Sequence, residues 1–140
     1  MKLVDANVLL YSVNEDAVHH VASRQWLDDA LSGAAPVGFD WVALLAFVRI
    51  ATHRAIFTNP MSHDDAMAQV RDWLASPSAQ VLSPTARHTD VLDSLLRQVN
   101  VGGNLVNDAH LAALAIEHKA DLVSFDRDFD RFPGVRRIQP

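Results

Sequence analysis

The chain has 140 residues, of which 49% are hydrophobic and 21% charged, a composition that fits one globular domain and excludes a disordered or collagen-like chain. It contains no cysteine, which excludes disulfides, thiol nucleophiles and cysteine-ligated metal centres. The net charge of −5 argues against a uniformly basic coat for nucleic acid, so any such contact is expected to be local. The longest apolar run, 41–48, is far shorter than the roughly 20 residues that span a bilayer. We therefore expect no membrane anchor, no secretory signal and a cytoplasmic location.

Short strand-like runs alternate with amphipathic helical runs along the whole chain, which predicts an α/β domain with a mainly parallel sheet. In chain order, the first half predicts a strand at 2–4, a helix at 6–13, a helix at about 19–31, a strand at 37–39 and a helix from 41 to about 52. The second half predicts a helix from 62 through 74, a strand at 80–82, a helix at about 87–99, a loop at 102–104, a helix from 108 to about 118, a strand at 122–124, an acidic turn at 126–132 and a final edge strand at 135–138.

Local signals mark three of these boundaries. Gly33 stands where a helix C-terminal cap belongs, and Asp40 is placed to cap the following helix at its N-terminus. Ser62, with Asp65 three residues later, resembles a capping box.

Three aspartates far apart in the sequence are predicted to meet. Asp5 follows the first strand and Asp126 follows a late strand, while Asp108 stands at the start of a helix. In an open parallel sheet, ligands bind beyond the carboxyl ends of the strands, where the loops converge. We therefore expect Asp5, Asp108 and Asp126 to share one site.

Carboxylates that converge repel one another, and a hard divalent cation relieves that repulsion. Mg²⁺ and Mn²⁺ prefer oxygen ligands and are held by a few aspartates together with a substrate phosphate. Such ions support phosphodiester hydrolysis, often as a pair about 3.5–4 Å apart. The acidic set therefore indicates metal-assisted cleavage of a nucleic-acid backbone, although each residue also has a simpler interpretation. Asp5 and Asp108 could cap the helices that follow them, and Asp126 could stabilise its own turn.

Four segments resemble the PIN-domain family, specifically the VapC-type toxin ribonucleases of bacterial toxin–antitoxin pairs. They are LVDANVLL at 3–10, FVRIAT at 47–52, GNLVNDAHLAALA at 103–115 and LVSFDRDF at 122–129. The segments occur in the family's order and extend over essentially the whole chain. Each is weak evidence alone, and the four together are highly specific.

The resemblance implies a single three-layer PIN domain over 1–140, with a central mainly parallel sheet flanked by helices. It implies that Asp5, Asp108 and Asp126 are the catalytic, Mg²⁺-binding carboxylates of an endoribonuclease, with Mn²⁺ as a substitute. Asn7 would orient Asp5, and Asp128 is close enough in sequence to support the metal site. The implied partners are an RNA substrate, a second copy of the chain and a cognate VapB-type antitoxin. An antitoxin arginine is the natural cation to enter the acidic pocket.

The sequence departs from the family pattern at Ala46, where many members carry a glutamate just before the Phe-Val-Arg motif. This departure leaves the second metal position open. Asp40 lies near in sequence and could compensate, but the capping role is favoured for it. The alternative function is therefore a catalytically weakened PIN domain that binds RNA or a protein partner.

Two further residues are singled out. Arg49 interrupts an otherwise apolar helix, so we expect it to contact a structural carboxylate or RNA. That helix is apolar on most of its faces, which predicts that part of it meets a second chain. His110 follows Asp108 by two residues and is therefore turned away from it on a helix. Contact between His110 and substrate is thus the less favoured interpretation.

Overall fold

The computed structural model describes residues 1–99 and 103–140, and within them it contains five strands and six α-helices. The strands are β1 (Lys2–Val4), β2 (Val37–Phe39), β3 (Ala79–Val81), β4 (Asp121–Val123) and β5 (Arg137–Ile138). The helices are α1 (Ala6–Val13), α2 (His20–Ser32), α3 (Trp41–Ala51), α4 (His63–Ala75), α5 (His88–Val99) and α6 (Val106–Glu117), with short 3-10 helices at Gly103–Leu105 and Arg127–Arg131. The predicted elements are present with their ends shifted by at most two residues. Of the predicted loop 102–104, residue 102 lies outside the described residues, and Gly103 begins the first 3-10 helix.

The five strands form one sheet in the order β3-β2-β1-β4-β5, and every pairing is parallel. The prediction of a mainly parallel sheet is thus confirmed. β1 lies at the centre, with β2 on one side and β4 on the other. The carboxyl ends of these three strands therefore lie side by side at one edge of the sheet.

Helices cover both faces of the sheet, which gives the three layers implied by the family resemblance. Successive side chains of a strand point to opposite faces, so Leu3 and Val4 enter different cores. Leu3 packs with buried residues of α5 and α6, whereas Val4 packs with buried residues of α1, α2, α3 and α4. The two cores therefore determine which helices lie on each face of the sheet.

Side-chain caps start two of the helices as the sequence predicts. Asp40 Oδ2 accepts a hydrogen bond from the Val42 amide at 3.1 Å and begins α3, and Ser62 Oγ accepts one from the Asp65 amide at 3.0 Å and begins α4. At α6 the simpler interpretation of Asp108 as a cap is wrong. This helix begins earlier, at Val106, so Asp108 lies in its first turn and its carboxylate is free for other contacts.

One face of α3 is exposed although it is apolar. The side chains of Trp41 and Leu45 are 44% and 60% exposed, as expected for a helix that meets a second chain. Arg49 is also exposed and forms no salt bridge to any described residue, so the structural-carboxylate contact expected for it is not present. Within residues 1–99 and 103–140, no helix combines the length and apolar character needed to cross a membrane.

Candidate active site

The site is built at the edge of the sheet where β1 and β4 end. Val4 is paired with Val123, so the residues that follow them, Asp5 and Ser124, leave the sheet side by side. The Asp5 amide donates to the Val123 carbonyl at 3.0 Å, which continues the ladder by one step. Adjacent parallel strands thus bring together the beginning and the last quarter of the chain.

Ser124 connects the two strand ends through its side chain, and the sequence analysis missed it. It is completely buried, and its hydroxyl donates to Asp5 Oδ2 at 2.6 Å. The same oxygen accepts hydrogen bonds from Asn7 Nδ2 at 3.0 Å and from the Asp126 amide at 2.9 Å. The signal that could have found it is a small polar residue at the end of a buried apolar strand, two positions before a predicted metal ligand.

Three carboxylates form the compact part of the site. Asp108, Asp126 and Asp128 each place one oxygen so that all three oxygens lie within 4.8 Å of one another. Asp126 Oδ1 also accepts from the Asp128 amide at 2.8 Å, so Asp126 caps the 3-10 helix and still contributes to the cluster. The turn interpretation and the metal-site interpretation of Asp126 are therefore compatible.

Asp5 stands beside this group without belonging to it. Its Oδ1 accepts from the Ala6 amide at 2.7 Å, in the capping position of α1, and its Oδ2 is held by Ser124. Asn7 reaches Asp5 through Ser124, since its own amide group bonds to the Ser124 hydroxyl and to the Phe125 backbone. The orienting role implied for Asn7 is thus an indirect one in this geometry.

The carboxylates of the site make one another harder to ionise. Burial raises the pKa of Asp108 to about 6, and the negative charges of Asp5 and Asp126 add to this rise. Burial also raises the pKa of Asp5, against the lowering effect of the Ser124 hydrogen bond, and the charge of Asp126 raises it further. All of these charges therefore act on one another within a single site.

No salt bridge among the described residues neutralises Asp5, Asp108, Asp126 or Asp128. Carboxylate oxygens without cationic partners are the donor set that Mg²⁺ and Mn²⁺ prefer. The residues present therefore fit a divalent cation, with Asp108, Asp126 and Asp128 as the nearest set of oxygens. Asp5 lies close enough for its charge to raise the pKa of Asp108.

Arg137 of β5 supports the turn that carries two of these carboxylates. Its Nε and Nη2 donate to the two carboxylate oxygens of Asp130 at 2.9 and 3.2 Å, and its Nη1 donates to the Ser124 carbonyl at 3.0 Å. The hydrogen bonds from Arg137 lower the pKa of Asp130. Asp130 is thereby paired with a cation, unlike Asp108, Asp126 and Asp128, which form no salt bridge with any described residue.

The position of the missing glutamate lies close to the site. Ala46 lines a shallow surface depression together with Arg49 and Asn107, and Asn107 directly precedes Asp108. Asp40 does not fill this place. Its Oδ2 accepts from the Val42 amide and lies 3.2 Å from His110 Nε2, so it caps α3, as favoured, and faces a histidine.

Comparison with known proteins identifies the family. The model of the PIN domain matches residues 2–135. The chain belongs to the PIN-domain family. It is 60% identical to Ribonuclease VapC37 of Mycobacterium tuberculosis over 100% of this chain and 97% of that protein, and 39% identical to Ribonuclease VapC25 of the same species over 100% and 99%. The resemblance to VapC-type members that the four segments carry is thereby confirmed.

A solved structure supports the PIN fold independently of close sequence similarity. VapBC2 of Rickettsia felis, crystallised with a DNA fragment from its promoter, matches with a TM-score of 0.72 at 18% identity, covering 99% of this chain and 97% of that one. At this identity the likeness concerns the fold alone. The PIN architecture is retained although four-fifths of the residues differ.

Proposed function

We propose that this protein is a metal-dependent endoribonuclease, the toxin of a type II toxin–antitoxin pair, that hydrolyses RNA phosphodiester bonds in the cytoplasm. Residues 1–140 act as a single PIN domain in this proposal. One observation carries it: unneutralised carboxylates gather at the sheet edge of a chain that is 60% identical to a named VapC ribonuclease.

We assign Asp5, Asp108 and Asp126 as the catalytic, metal-binding residues, with Asn7 and Asp128 in support. Mg²⁺ is the proposed cofactor and Mn²⁺ a substitute, because the donor set consists of carboxylate oxygens. When bound, the ion supplies charge stabilisation at the phosphate and an activated water.

The chain's own residues orient these ligands. The Ser124 hydroxyl holds Asp5 Oδ2, and the Asp128 amide holds Asp126 Oδ1, which leaves the other oxygen of Asp126 free to turn toward the site. Burial and the neighbouring carboxylates raise the pKa of Asp108 to about 6 in the metal-free site, so protons compete with the ion for this ligand in mild acid. We therefore expect the Mg²⁺ concentration needed for RNA cleavage to rise as the pH is lowered toward about 5.

Arg49 is the proposed RNA contact. It is exposed, no described carboxylate binds it, and it shares a surface depression with Asn107, next to Asp108. A guanidinium at this place is available for a phosphate of a strand that leads into the acidic edge.

Two protein partners belong to the proposal. A cognate VapB-type antitoxin would restrain the nuclease by inserting an arginine among the unpaired carboxylates, and the solved VapBC2 assembly is the precedent for such a pair. A second copy of the chain would cover the exposed apolar side chains of Trp41 and Leu45 on α3.

RNA cleavage by the purified chain, freed of its partner, tests the proposal. We expect cleavage of structured RNA with Mg²⁺ or Mn²⁺ and none with EDTA. Asp108→Asn should lower the rate at least about a hundredfold, because it removes a ligand charge. Asp90→Asn is the matched control, since Asp90 is the third residue of α5 as Asp108 is of α6, and it is exposed. Equal rates for the two variants would contradict the assignment.

The second candidate function, a PIN domain that binds without cutting, is favoured by one observation, which is Ala46 in place of the glutamate of many family members. Failure of the wild-type chain to cut any RNA under the conditions above, with retained RNA binding, would support it. Ala46→Glu would then be expected to create cleavage, because it adds a carboxylate to the depression that Ala46 shares with Asn107, the residue before Asp108.

A further inference from the structure

A second polar network joins α6 to the starts of α3 and α5 and has no role in the proposed reaction. It consists of four side chains, Asp40, His110, His88 and Glu117, which we call the histidine bridge. Asp40 Oδ2 lies 3.2 Å from His110 Nε2, His110 Nδ1 lies 3.0 Å from His88 Nε2, and His88 Nδ1 lies 2.6 Å from Glu117 Oε2. The bridge links the start of α3 to the start of α5 through the body of α6.

The bridge is completed at both ends by backbone groups. Asp40 Oδ2 accepts from the Val42 amide, and Glu117 Oε1 accepts from the Thr85 amide at 2.9 Å. The side chains of Asp40 and Glu117 are 6% and 0% exposed. Such a chain of satisfied groups is geometrically restrictive, because no member can move without losing a partner.

Apolar packing and the histidine bridge together define the rotation of α6. Its N-cap residue, Leu105, makes no side-chain capping hydrogen bond. Six residues of the helix are buried: the leucines Leu111 and Leu114, and four alanines at 109, 112, 113 and 115. The alanines allow close approach but make fewer contacts than larger side chains, so the hydrogen bonds of His110 add to the leucine packing in fixing the rotation.

His110 anchors α6 to Asp40 and His88 on the side of the helix opposite to Asp108. Two residues along a helix are separated by about 200° of rotation, so a turn of the helix axis moves both side chains together. A rotation of about 20° displaces a carboxylate at the helix surface by about 2 Å, from the radius of a helix with its side chains. Metal ligation tolerates only about 0.2 Å in ligand distances. The place of Asp108 is therefore sensitive to whatever fixes the rotation of α6.

We propose that His110, held between Asp40 and His88, is a positioning residue that sets the rotation of α6 and thereby places Asp108 against Asp126 and Asp128. His88 acts through His110 and contacts none of the carboxylates of the site. The activity consequence rests on the proposed ribonuclease function, whereas the effect on metal binding does not.

The test measures Mn²⁺ affinity, by the EPR signal of free Mn²⁺, in variants of the full chain. His110→Phe and His88→Phe keep a ring of similar size and remove the ring nitrogens. We expect His110→Phe to weaken Mn²⁺ binding about tenfold, the usual scale for residues that orient metal ligands, and His88→Phe to weaken it about threefold. The double variant should be no worse than His110→Phe, because both changes break one network.

His118→Phe is the matched control. His118 is the C-cap residue of α6, and among the described residues its side chain bonds only to the Ser83 carbonyl at 2.8 Å, outside the histidine bridge. This variant should bind Mn²⁺ as the wild type does. His88→Gln, which keeps hydrogen-bonding groups on the side chain, should recover part of the affinity lost in His88→Phe.

RNA cleavage at saturating Mn²⁺ adds a second readout: kcat should fall in both Phe variants while KM stays within about twofold, because the RNA-binding surface is unchanged. Lower thermal stability with wild-type Mn²⁺ affinity and kcat would overturn the proposal and leave the bridge a purely structural element. If His110→Phe does not fold, His88→Phe decides by the same criterion, and if neither folds the Gln variants at both positions decide. A wild type that binds Mn²⁺ but cuts no RNA would refute the proposed function, and the Mn²⁺ comparison would still decide the role of His110.

Discussion

The acidic group and the histidine bridge both contain carboxylates and share helix α6, yet their carboxylates have different partners. In the acidic group, Asp108, Asp126 and Asp128 approach one another with no cationic side chain among the described residues to pair with them. In the bridge, each carboxylate meets an imidazole. α6 contributes to both, through Asp108 and His110. Carboxylates without a cationic partner thus mark the place for a ligand, and carboxylates in contact with ring nitrogens mark its support.

The largest change in stability that tests this comparison is expected at Ser124. Ser124→Ala should lower the free energy of unfolding by about 2–3 kcal/mol, because it leaves the partly buried amide groups of Asn7 and Asp126 without their acceptor and removes a donor from Asp5. RNA cleavage should fall with it, since Asp5 loses its orientation. Urea unfolding and cleavage rates measure the two effects.

Ser23→Ala is the control for that prediction. Ser23 is as completely buried as Ser124, but its hydroxyl has no hydrogen-bond partner in the described part of the chain. Removing an unpaired buried hydroxyl should leave stability unchanged or raise it. If both alanine variants lose the same stability, burial and not the hydrogen-bond network governs this site.

The sequence predicts the fold well because its signals are local. Alternation of strand and helix patterns predicts the parallel sheet, and Asp40 and Ser62 mark helix starts through bonds to residues only two or three positions away. The start of α6 is predicted less well, since Leu105 gives no capping signal and Asp108 resembles a cap. Capping propensity favours the polar Asp108 as the start of α6, whereas the helix begins two residues earlier, at Val106.

The sequence predicts only those parts of the site that residue type and position at the end of a strand indicate. Asp5 and Asp126 are singled out because each follows a predicted strand, and Asp108 because it stands at the start of a predicted helix. Their assignment as catalytic residues stays a prediction. Ser124 is read as part of a strand, and its bonds to residues 117 and 119 positions away leave no trace in local patterns. The same holds for His88 and Glu117. Their side-chain partners lie on other segments of the chain, at sequence separations that no helical or strand period predicts.

Glu117→Gln is expected to have the next largest effect, a loss of about 1–2 kcal/mol at pH 7, which is the scale of a hydrogen bond to a charged group. Burial alone would raise the pKa of Glu117, but hydrogen bonds from Thr85 and His88 outweigh it and lower the pKa below the ordinary 4.5. Stability from this carboxylate is therefore present above pH 4.5 and disappears as the pH falls through the lower folded-state pKa.

Thermal unfolding of the wild type and Glu117→Gln from pH 7 to about pH 3 measures this difference, with exposed Glu15→Gln as the control. The scan extends well below pH 4.5 because the folded-state pKa of Glu117 lies below that value. The difference in Tm between the wild type and Glu117→Gln should decrease as the pH is lowered. A gap that stays constant over this range would show that the substitution disturbs packing and not the charge of the bridge.

Asp108→Asn should have the smallest effect on stability and the opposite sign. The folded state raises the pKa of Asp108 from 3.8 to about 6, so stability contributed by this group is full below pH 3.8 and is lost as the pH rises through about 6. Removing the charge should therefore stabilise the metal-free protein above pH 6, by about 1 kcal/mol once screening of this half-exposed side chain is allowed for. That corresponds to about 3 °C in Tm for a chain of this length.

The stabilisation should vanish near pH 4, where wild-type Asp108 is itself protonated, and it should reverse at pH 7.5 with saturating Mg²⁺, because the ion stabilises only a site that still has its ligand. Thermal scans with EDTA and with Mg²⁺ at both pH values measure all four cases. A variant less stable than the wild type in EDTA at pH 7.5 would show that Asp108 supports the helix itself, and the contrast between the acidic group and the histidine bridge would then fail at its central residue.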